Sequence, residues 1–322
     1  MEQSLAPAAA GKSTLIGDTG HRLLLIMNPY SGMKIGKRHL ADILEKFCRA
    51  GYVPTTFMTT GRGNATDLAA RYGAQADLIV CLGGDGTFNE VVSGMLKADV
   101  RTPIGYIPCG STNDFAASIG LSRGLTAAAD DILAGTPHTY DIGRFDQRYF
   151  SYVASFGAFT RASYATSQDA KNILGHLAYV LAGIGDLSSI RPYHVRFDCN
   201  GRTFEDDYVF GAISNSTSVG GVLTLDPNAV DMNDGMFELL LIKMPKNAVE
   251  LGECVRALQQ QKYDSPMLTF HSTDRLIVTA DPGMDWTLDG EREPGHRAIW
   301  VENIHDAIRL MKRDWTEKEK NR

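Results

Sequence analysis

Positive charge is not in excess in this sequence. The chain has 32 lysines and arginines against 38 aspartates and glutamates, which gives a formal net charge of −6 at pH 7. A protein that binds nucleic acid irrespective of its base sequence needs a basic face that neutralises phosphates. We therefore expect no nucleic-acid partner.

Cysteines are few and show no recognisable pairing. There are five, Cys48, Cys81, Cys109, Cys199 and Cys254, and none of them forms the C-x-x-C spacing that is typical of zinc or redox sites. Widely spaced cysteines in odd number indicate small buried side chains in a reducing compartment. We expect a cytoplasmic protein.

Long hydrophobic runs are also missing. The best candidate, residues 174–187, is interrupted by His176 and Asp186, whereas a spanning helix needs about 20 consecutive apolar residues. Residues 1–20 have neither the basic start nor the apolar stretch of a signal peptide, and they are predicted to be a loose leader. Any membrane contact should therefore be peripheral, at the inner face of the membrane.

Length and composition predict two folded domains. The chain has 322 residues, of which 43% are hydrophobic and 22% charged, and domains commonly contain about 100 to 200 residues. Residues 21–140 alternate short apolar runs with helical periodicity, which predicts an N-terminal α/β nucleotide-binding domain with a mostly parallel sheet. Residues 141–297 predict an antiparallel, β-sandwich-like domain with helical interruptions at 170–188 and 248–261. Residues from about 298 to 322 are expected to return to the first domain with a last strand.

A glycine-rich turn at residues 81–90 is the strongest functional signal. It reads CLGGDGTFNE and lies between an apolar strand and a helix. Glycines let the backbone approach phosphate oxygens, and the N–H groups at the start of a helix attract a polyanion. A tight turn capped by Asp85 is the simpler alternative, but strand, glycines, acid and helix in this order favour a nucleotide site.

Two further polar turns follow predicted strands. They read NPYSG at residues 28–32 and PCGSTNDFA at residues 108–116. Helix capping explains either turn taken alone. Because the carboxyl ends of parallel strands meet at one edge of a sheet, the three turns are expected to converge into one pocket that can hold a triphosphate.

In this order and at these separations, NPYSG, GGDGTFNEVVSG and GSTNDFA resemble the diacylglycerol kinase catalytic family, in particular its soluble bacterial lipid kinases. The similarity continues in DIG at 141–143, NDG at 233–235 and LDGE at 288–291, and it covers nearly the whole chain from residue 21. The resemblance implies an α/β nucleotide domain followed by a β-sandwich domain. It also implies phosphate transfer from ATP to the hydroxyl of diacylglycerol or a related lipid alcohol.

The resemblance further implies a set of ATP contacts. They are Asn28, Pro29, Tyr30, Ser31, Gly32, Thr59, Gly84, Asp85, Gly86, Thr87, Phe88, Asn89, Glu90 and Ser111. Two positions depart from the family pattern. Asn64 stands where an Asp is usual, which leaves Thr60 as an alternative to Thr59. Met33 stands where a Lys often follows the glycine, which leaves the phosphate contact to Lys34 or weakens it.

Phosphoryl transfer requires charge neutralisation by Mg²⁺. Asp85, Asp114 and Asp141 each lie near the end of a predicted strand that faces the same crevice. The resemblance implies that Asp85 is the main Mg²⁺ contact and that Asp114 and Asp141 extend a water network. For Asp141, a turn residue at the domain junction is an equal alternative.

A second, structural Mg²⁺ is implied between two β segments. Its ligands would be the carboxylate of Asp234 and the carbonyls of Asp231 and Met236. A plain hairpin turn, for which Asp-Gly is a strong signal, explains the same residues equally well.

The attacking hydroxyl must lose a proton, so a base is required. LDGE matches the family's catalytic motif, which implies Glu291 as the proton acceptor with Asp289 assisting, or the reverse. Residues two apart on extended backbone face the same way, so both carboxylates are expected to reach the cleft. Without the resemblance, an exposed D-G-E turn is the better interpretation.

A lipid acceptor needs an apolar channel beside the phosphate site. Candidates for its lining are Phe156, Phe159, residues 173–187 and residues 219–225, and the helix at 173–187 could also touch a membrane surface. The sequence leaves a homodimer open.

Two other functions share part of this pattern. Soluble-substrate kinases such as NAD kinase and phosphofructokinase also use a GGDGT loop, although NPYSG and GSTNDFA count against them. A non-catalytic nucleotide-sensing protein would keep the loops and lack a base, and Asp289 and Glu291 argue against it.

Overall fold

The structure, a computed structural model, describes residues 20–157, 191–215, 218–219, 223–224, 231–260 and 264–314. Several predicted features lie outside these ranges. They are residues 1–19 of the leader, the helix at 170–188, the channel candidate Phe159, most of the segment 219–225, and the tail after residue 314.

The N-terminal part alternates strands and helices. Its elements are β1 (His21–Met27), α1 (Ile35–Arg49), β2 (Tyr52–Met58), α2 (Asn64–Tyr72), β3 (Leu78–Gly83), α3 (Asp85–Lys97), β4 (Ile104–Pro108), α4 (Asp114–Ser118) and α5 (Leu125–Ala134). Single 3-10 turns occur at Ser31–Lys34 and Gly73–Gln75. Periodicity indicated most of these elements, but not α5.

The second part is mainly β. Its elements are β5 (Thr136–Phe145), β6 (Arg148–Phe150), β7 (Val153–Gly157), β8 (Tyr193–Cys199), β9 (Arg202–Ser214), β10 (Ser218–Val219), β11 (Leu223–Thr224), β12 (Phe237–Lys243), α6 (Ala248–Gln259), β13 (Leu268–Thr273), β14 (Arg275–Thr279), β15 (Trp286–Leu288), β16 (Glu291–Glu293) and β17 (Ala298–Lys312).

The first four strands are parallel and lie in the order β2-β1-β3-β4. Helices cover both faces, which explains why β1 and β3 are nearly continuous apolar runs. Leu23 and Leu25 face α1 and α5, whereas Leu24 and Ile26 face α2 and α3. The alternation of β1 side chains therefore divides the core into two layers.

Antiparallel pairing dominates the rest of the sheet. β17 pairs with β5 and β14 in antiparallel fashion and meets β4 in parallel at Leu310 and Ile104. It therefore joins the two parts of the chain into one sheet, which has fifteen strands in the described residues. The predicted fold class and the predicted last strand are confirmed, while the domain boundaries stay a prediction.

The helices of the described ranges include none with the length and apolar character needed to span a membrane.

Candidate active site

Three turns lie together at the carboxyl ends of the parallel strands. The backbone N–H of Asn28, after β1, donates to Leu82 O at 2.9 Å. The N–H of Cys109, after β4, donates to Gly83 O at 2.8 Å. The side-chain amide of Asn28 also donates to Thr87 Oγ1 in α3 at 3.1 Å. The three turns therefore lie side by side as predicted, and their use as a triphosphate pocket stays a prediction.

Glycines allow the main chains of these turns to come into direct contact, because they have no side chain. Gly32 has φ +53°, and a Cβ there would lie 1.9 Å from the carbonyl oxygen of Cys109. A Cβ on Gly110 would lie 2.7 Å from the Cα of Gly84. Gly84 directly precedes α3, whose first N–H groups carry partial positive charge. This edge of the sheet therefore suits a polyphosphate.

The remaining residues of the first turn and its neighbours lie at the same edge. Tyr30 is 71% exposed, and Ser111 is also exposed. Thr59 is buried at the end of β2, and its N–H donates to Met27 O at 2.8 Å.

Asn64 supplies the acceptor that an Asp would supply in the turn before α2. Its Oδ1 accepts from the N–H of Thr60 at 3.1 Å. The departure from the family pattern therefore leaves this local hydrogen bond in place.

Three side chains of α3 with predicted nucleotide contacts are engaged by the protein itself. Phe88 is fully buried, and its ring stacks on Tyr106. Asn89 Nδ2 donates to Asp289 Oδ2 at 2.8 Å. Glu90 accepts from the N–H of Gly63 at 2.7 Å. The N–H of Phe88 also donates to Gly84 O at 3.0 Å. These three residues are therefore held by contacts within the protein, and their contact with a nucleotide stays a prediction.

Asp85 and Asp114 form a close acidic pair. Asp85 Oδ2 accepts from the N–H of Asp114 at 2.9 Å. Tyr106 donates its hydroxyl to Asp85 Oδ1 at 3.4 Å, and Tyr152 donates to Asp114 Oδ2 at 3.5 Å. Burial, followed by the charge of Asp114, raises the pKa of Asp85 to about 6, and burial also raises the pKa of Asp114. A divalent cation bound between these two carboxylates would offset both the cost of burying their charges and the repulsion between them. The pair therefore suits a divalent cation.

Asp141 lies elsewhere. Its side chain is fully buried in β5, where Oδ2 accepts from the N–H of Gly235 at 2.7 Å and Oδ1 accepts from the N–H of Asp306 at 2.9 Å. His305 Nδ1 lies 2.9 Å from the same Oδ1. The expectation that all three acids face one crevice is therefore wrong. Asp141 sits in the middle of an antiparallel strand, so the rule for carboxyl ends of parallel strands does not apply to it.

The turn at residues 231–236 is fixed by Asp141 and has oxygen atoms for a cation. Asp231 Oδ1 accepts from Asn233 N at 3.1 Å, and Asp234 Oδ1 accepts from Met236 N at 2.9 Å. Of the predicted ligands, the Asp234 carboxylate keeps a second oxygen, a kind of ligand that Mg²⁺ prefers, while the carbonyl oxygen of Met236 accepts from Asn303 Nδ2 at 2.9 Å.

The same turn has the geometry of a tight reversal, since Gly235 has φ +76°. Within the ranges that the structure describes, no group of three or more His, Cys, Asp and Glu side chains is arranged to hold a metal. The turn has the geometry of a hairpin reversal, and the structural cation stays a prediction.

Asp289 is a buried acceptor and does not reach a cleft. It accepts from the backbone N–H groups of Ser151 at 2.5 Å, Tyr152 at 3.0 Å and Val153 at 3.1 Å, in addition to the Asn89 amide. Burial raises the pKa of Asp289 to about 6, against the effect of these donors. Four donors saturate the carboxylate, which indicates a structural role.

The expectation that Asp289 and Glu291 both reach the cleft is wrong, because the backbone is not extended here. Asp289 has φ +47° and Gly290 has φ +85°, so the two residues form the hairpin turn between β15 and β16. The turn sends the Asp289 side chain inward and leaves that of Glu291 outside.

Glu291 faces the start of α3. Its Oε1 lies 3.4 Å from the position that a Cβ on Gly86 would occupy. Arg62 Nη2 lies 2.7 Å from Glu291 Oε2, and Arg148 Nη2 lies 3.6 Å from it. Glu291 thus has one oxygen held by cations and one directed towards Gly86 in the glycine-rich turn.

A cavity of about 350 Å³ opens beside Glu291. Its walls are formed by the start of α2, by one side of α3 from Gly86 to Lys97, and by the β5–β6 hairpin, which contributes Arg148. The cavity places polar and cationic groups next to the candidate base.

Comparisons with known proteins give the family of the chain. A family model described as "Diacylglycerol kinase catalytic domain" matches residues 22–145, and one described as "YegS C-terminal NAD kinase beta sandwich-like domain" matches residues 153–311. The diacylglycerol kinase of Bacillus subtilis (strain 168) is 37% identical over 289 residues, which cover 88% of this chain and 95% of that protein. The chain belongs to the diacylglycerol kinase catalytic family.

A second relative and two solved structures extend this result. The diacylglycerol kinase of Staphylococcus saprophyticus is 31% identical over 272 residues, covering 84% of this chain and 88% of that protein. A structure of a diacylglycerol kinase from Bacillus anthracis strain Sterne matches with a TM-score of 0.69 at 19% identity, covering 93% of this chain and 98% of that one. Another structure from that organism has a TM-score of 0.74 at 19% identity, covering 91% and 97%. At this identity the solved structures support the fold alone.

The family predicted from the motifs is confirmed. Two residues next to the candidate base, Arg62 and Arg148, were not among the predicted site residues. Arg62 and Arg148 contact Glu291 from distant parts of the chain. The only local signal was the placing of Arg62 between Gly61 and Gly63, which puts an exposed cation on a tight turn.

Proposed function

We propose that this chain is an ATP-dependent lipid kinase that transfers the γ-phosphoryl group of ATP to the hydroxyl of diacylglycerol or a related lipid alcohol. Its family is one of diacylglycerol kinases. The observation that carries the proposal is the position of Glu291, whose Oε1 faces Gly86 in the first turn of α3. A base beside a phosphate-binding turn is what transfer to a hydroxyl requires.

In this proposal the converging turns hold the triphosphate. The absence of side chains at Gly32, Gly84 and Gly110 lets the three turns pack against one another, and the start of α3 contributes N–H groups. Their close contacts support a compact phosphate site. Thr59, Tyr30 and Ser111 lie at its margin.

Asp85 and Asp114 are the proposed Mg²⁺ residues, because they are adjacent carboxylates at the phosphate edge. A bound Mg²⁺ would neutralise negative charge on the phosphates. Asp141 is proposed instead to hold the turn at 231–236, where Asp231, Asp234 and Met236 would bind the structural cation.

Glu291 is the proposed proton acceptor. The lipid oxygen forms a bond to the γ-phosphorus, the bond from that phosphorus to the ADP oxygen breaks, and the hydroxyl proton passes to Glu291. Asp289 takes no part in this transfer, because its carboxylate is already saturated by four donors.

The lipid side remains a proposal. A lipid acceptor is drawn from a membrane surface, so we propose peripheral contact of the protein at the inner face of the membrane. A homodimer stays a prediction.

Phe156 does not line a channel: it is fully buried, with its ring 5.0 Å from that of Trp286. Packing against this tryptophan makes it a core residue.

The test is a transfer assay with labelled ATP and Mg²⁺. Acceptors are diacylglycerol, a long-chain alcohol and a sphingoid base in detergent micelles, together with NAD and a sugar phosphate. We expect label in a lipid, and label that enters only NAD or the sugar phosphate would refute the proposal. Glu291→Gln should bind ATP normally and lose transfer, so normal turnover in this variant would remove the base assignment.

A further inference from the structure

Arg62 makes a specific contact with the proposed base. Its Nη2 lies 2.7 Å from Glu291 Oε2, although the two residues are 229 positions apart in the chain. Arg148 approaches the same oxygen less closely, at 3.6 Å, and its Nη1 lies 3.0 Å from Glu293. The two oxygens of Glu291 therefore have different surroundings, with Oε2 bound by a guanidinium and Oε1 directed towards Gly86.

The turn that carries Arg62 is attached to α3. Glu90 accepts from the backbone N–H groups of Gly63 at 2.7 Å and Ala65 at 3.2 Å. Thr66 Oγ1 donates to the carbonyl oxygen of Glu90 at 2.9 Å. Because α3 also begins at the phosphate turn, one helix sets the distance between the phosphate site and the Arg62 backbone.

The ion pair itself contributes little to folding. The side chains of Arg62 and Glu291 are 70% and 44% exposed, and exposed pairs typically stabilise a protein by about 0 to 1 kcal/mol. A function for the contact can therefore be separated from the stability of the fold.

We propose that Arg62 is a positioning residue for phosphate transfer. It holds Oε2 of Glu291, so that Oε1 is presented to the attacking hydroxyl in a single orientation. The inference rests on the proposed function, since it takes Glu291 to be the base. A glutamate on an exposed hairpin has several rotamers, and only a few of them direct an oxygen at the phosphate turn. Restricting the Glu291 side chain to these few rotamers increases the rate of transfer without changing ATP binding.

The experiment is a double-mutant cycle on the full-length protein, with initial rates measured at saturating lipid. The variants are Arg62→Ala, Arg62→Lys, Glu291→Gln and the double variant Arg62→Ala/Glu291→Gln. Arg292→Ala is the matched control, because Arg292 lies next to Glu291 in β16 but pairs with Asp285 at 2.9 Å.

We expect Arg62→Ala to lower kcat by roughly ten- to a hundredfold, with little change in the KM for ATP. Arg62→Lys should recover part of kcat, since an ammonium can still bind Oε2. The double variant should be no slower than Glu291→Gln, because Arg62 acts through Glu291. Arg292→Ala should keep the wild-type kcat, and thermal melting should be similar for all variants.

Unchanged kcat in Arg62→Ala, alongside loss of transfer in Glu291→Gln, would overturn the inference and leave the proposed function in place. Losses that multiply in the double variant would also overturn it, since Arg62 would then act independently of Glu291. Equal lipid phosphorylation by the wild type and Glu291→Gln would overturn both the base assignment and the inference.

Discussion

Asn89 donates its side-chain amide to Asp289 Oδ2 at 2.8 Å, across 200 positions of sequence. The same nitrogen donates to the carbonyl oxygen of Tyr149 at 3.0 Å. Asn89 belongs to the glycine-rich segment at residues 81–90 and lies near the start of α3, and Asp289 begins the hairpin that carries Glu291. One amide therefore ties the proposed phosphate site to the hairpin that bears the proposed base.

Replacing Asn89 should loosen this connection. Asn89→Ala removes one of the four donors to Asp289 and the donor to Tyr149 O, so we expect a loss of about 1 to 3 kcal/mol in the free energy of unfolding. Urea denaturation measures it. Ser93→Ala is the control, because Ser93 Oγ makes only a 3.4 Å contact with Asn89 Oδ1. A loss no larger than that of the control would contradict the role of Asn89.

Asp289 and Glu291 should respond differently to amide substitution. In Asp289→Asn, an NH₂ group would face backbone N–H donors in a buried site, which should destabilise the fold by on the order of 3 kcal/mol. In Glu291→Gln, the side chain stays at the surface and the stability should change little. Thermal melting of the two variants decides this, and equal melting temperatures would show that Asp289 is not the structural acceptor that we describe.

Gly32 should not tolerate a side chain. Gly32→Ala would place Cβ 1.9 Å from Cys109 O at φ +53°, so the first and third turns must separate. We expect weaker ATP binding, measured by calorimetry, and a less stable protein. Gly252→Ala, in α6, is the control, because a Cβ there meets nothing within 4 Å. The higher helix propensity of alanine should make this variant more stable than the wild type by about 0.5 to 1 kcal/mol. Wild-type ATP affinity in Gly32→Ala would contradict the close packing of the turns.

Glu238 should make stability depend on pH. It is 2% exposed, its Oε2 has no hydrogen-bond partner among the residues described, and burial, followed by the charge of Asp234, raises its pKa from 4.5 to about 8. The unfolded chain releases this proton above about pH 4.5, while the folded chain keeps it up to about pH 8. Stability should therefore fall as the pH rises between these values, by up to about 1.4 kcal/mol per pH unit.

Glu238→Gln removes this pH-dependent cost. Urea denaturation in the presence of a chelator should show a variant that is more stable than the wild type at pH 8 and nearly equal to it at pH 5. Glu45→Gln, on the exposed surface of α1, is the control and should show no such difference. An equal gain at both pH values would indicate a packing effect instead of titration.

Sequence pattern predicted the adjacency of the three polar turns correctly because their signals are local. Gly84 and Asp85 stand between an apolar run and a helical pattern, and parallel pairing of such strands brings their carboxyl ends together. It failed at Asp289, where an extended backbone was assumed although Asp-Gly is a hairpin signal. It also failed at Asp141, whose strand pairs with β17 in antiparallel fashion.

Amino-acid order alone indicated most of the strands and helices, the edge of the sheet at which the polar turns meet, and the family, since periodicity and turn chemistry act over a few neighbouring residues. Tertiary packing decided that the carboxylate of Asp289 is buried and that the carboxylate of Glu291 faces Gly86 at the start of α3. Asp289 meets Asn89, and Glu291 meets Arg62, only after residues 200 or more positions apart are brought into contact. Hydrogen bonds act over about 3 Å, so no pattern within a short window of sequence can specify them.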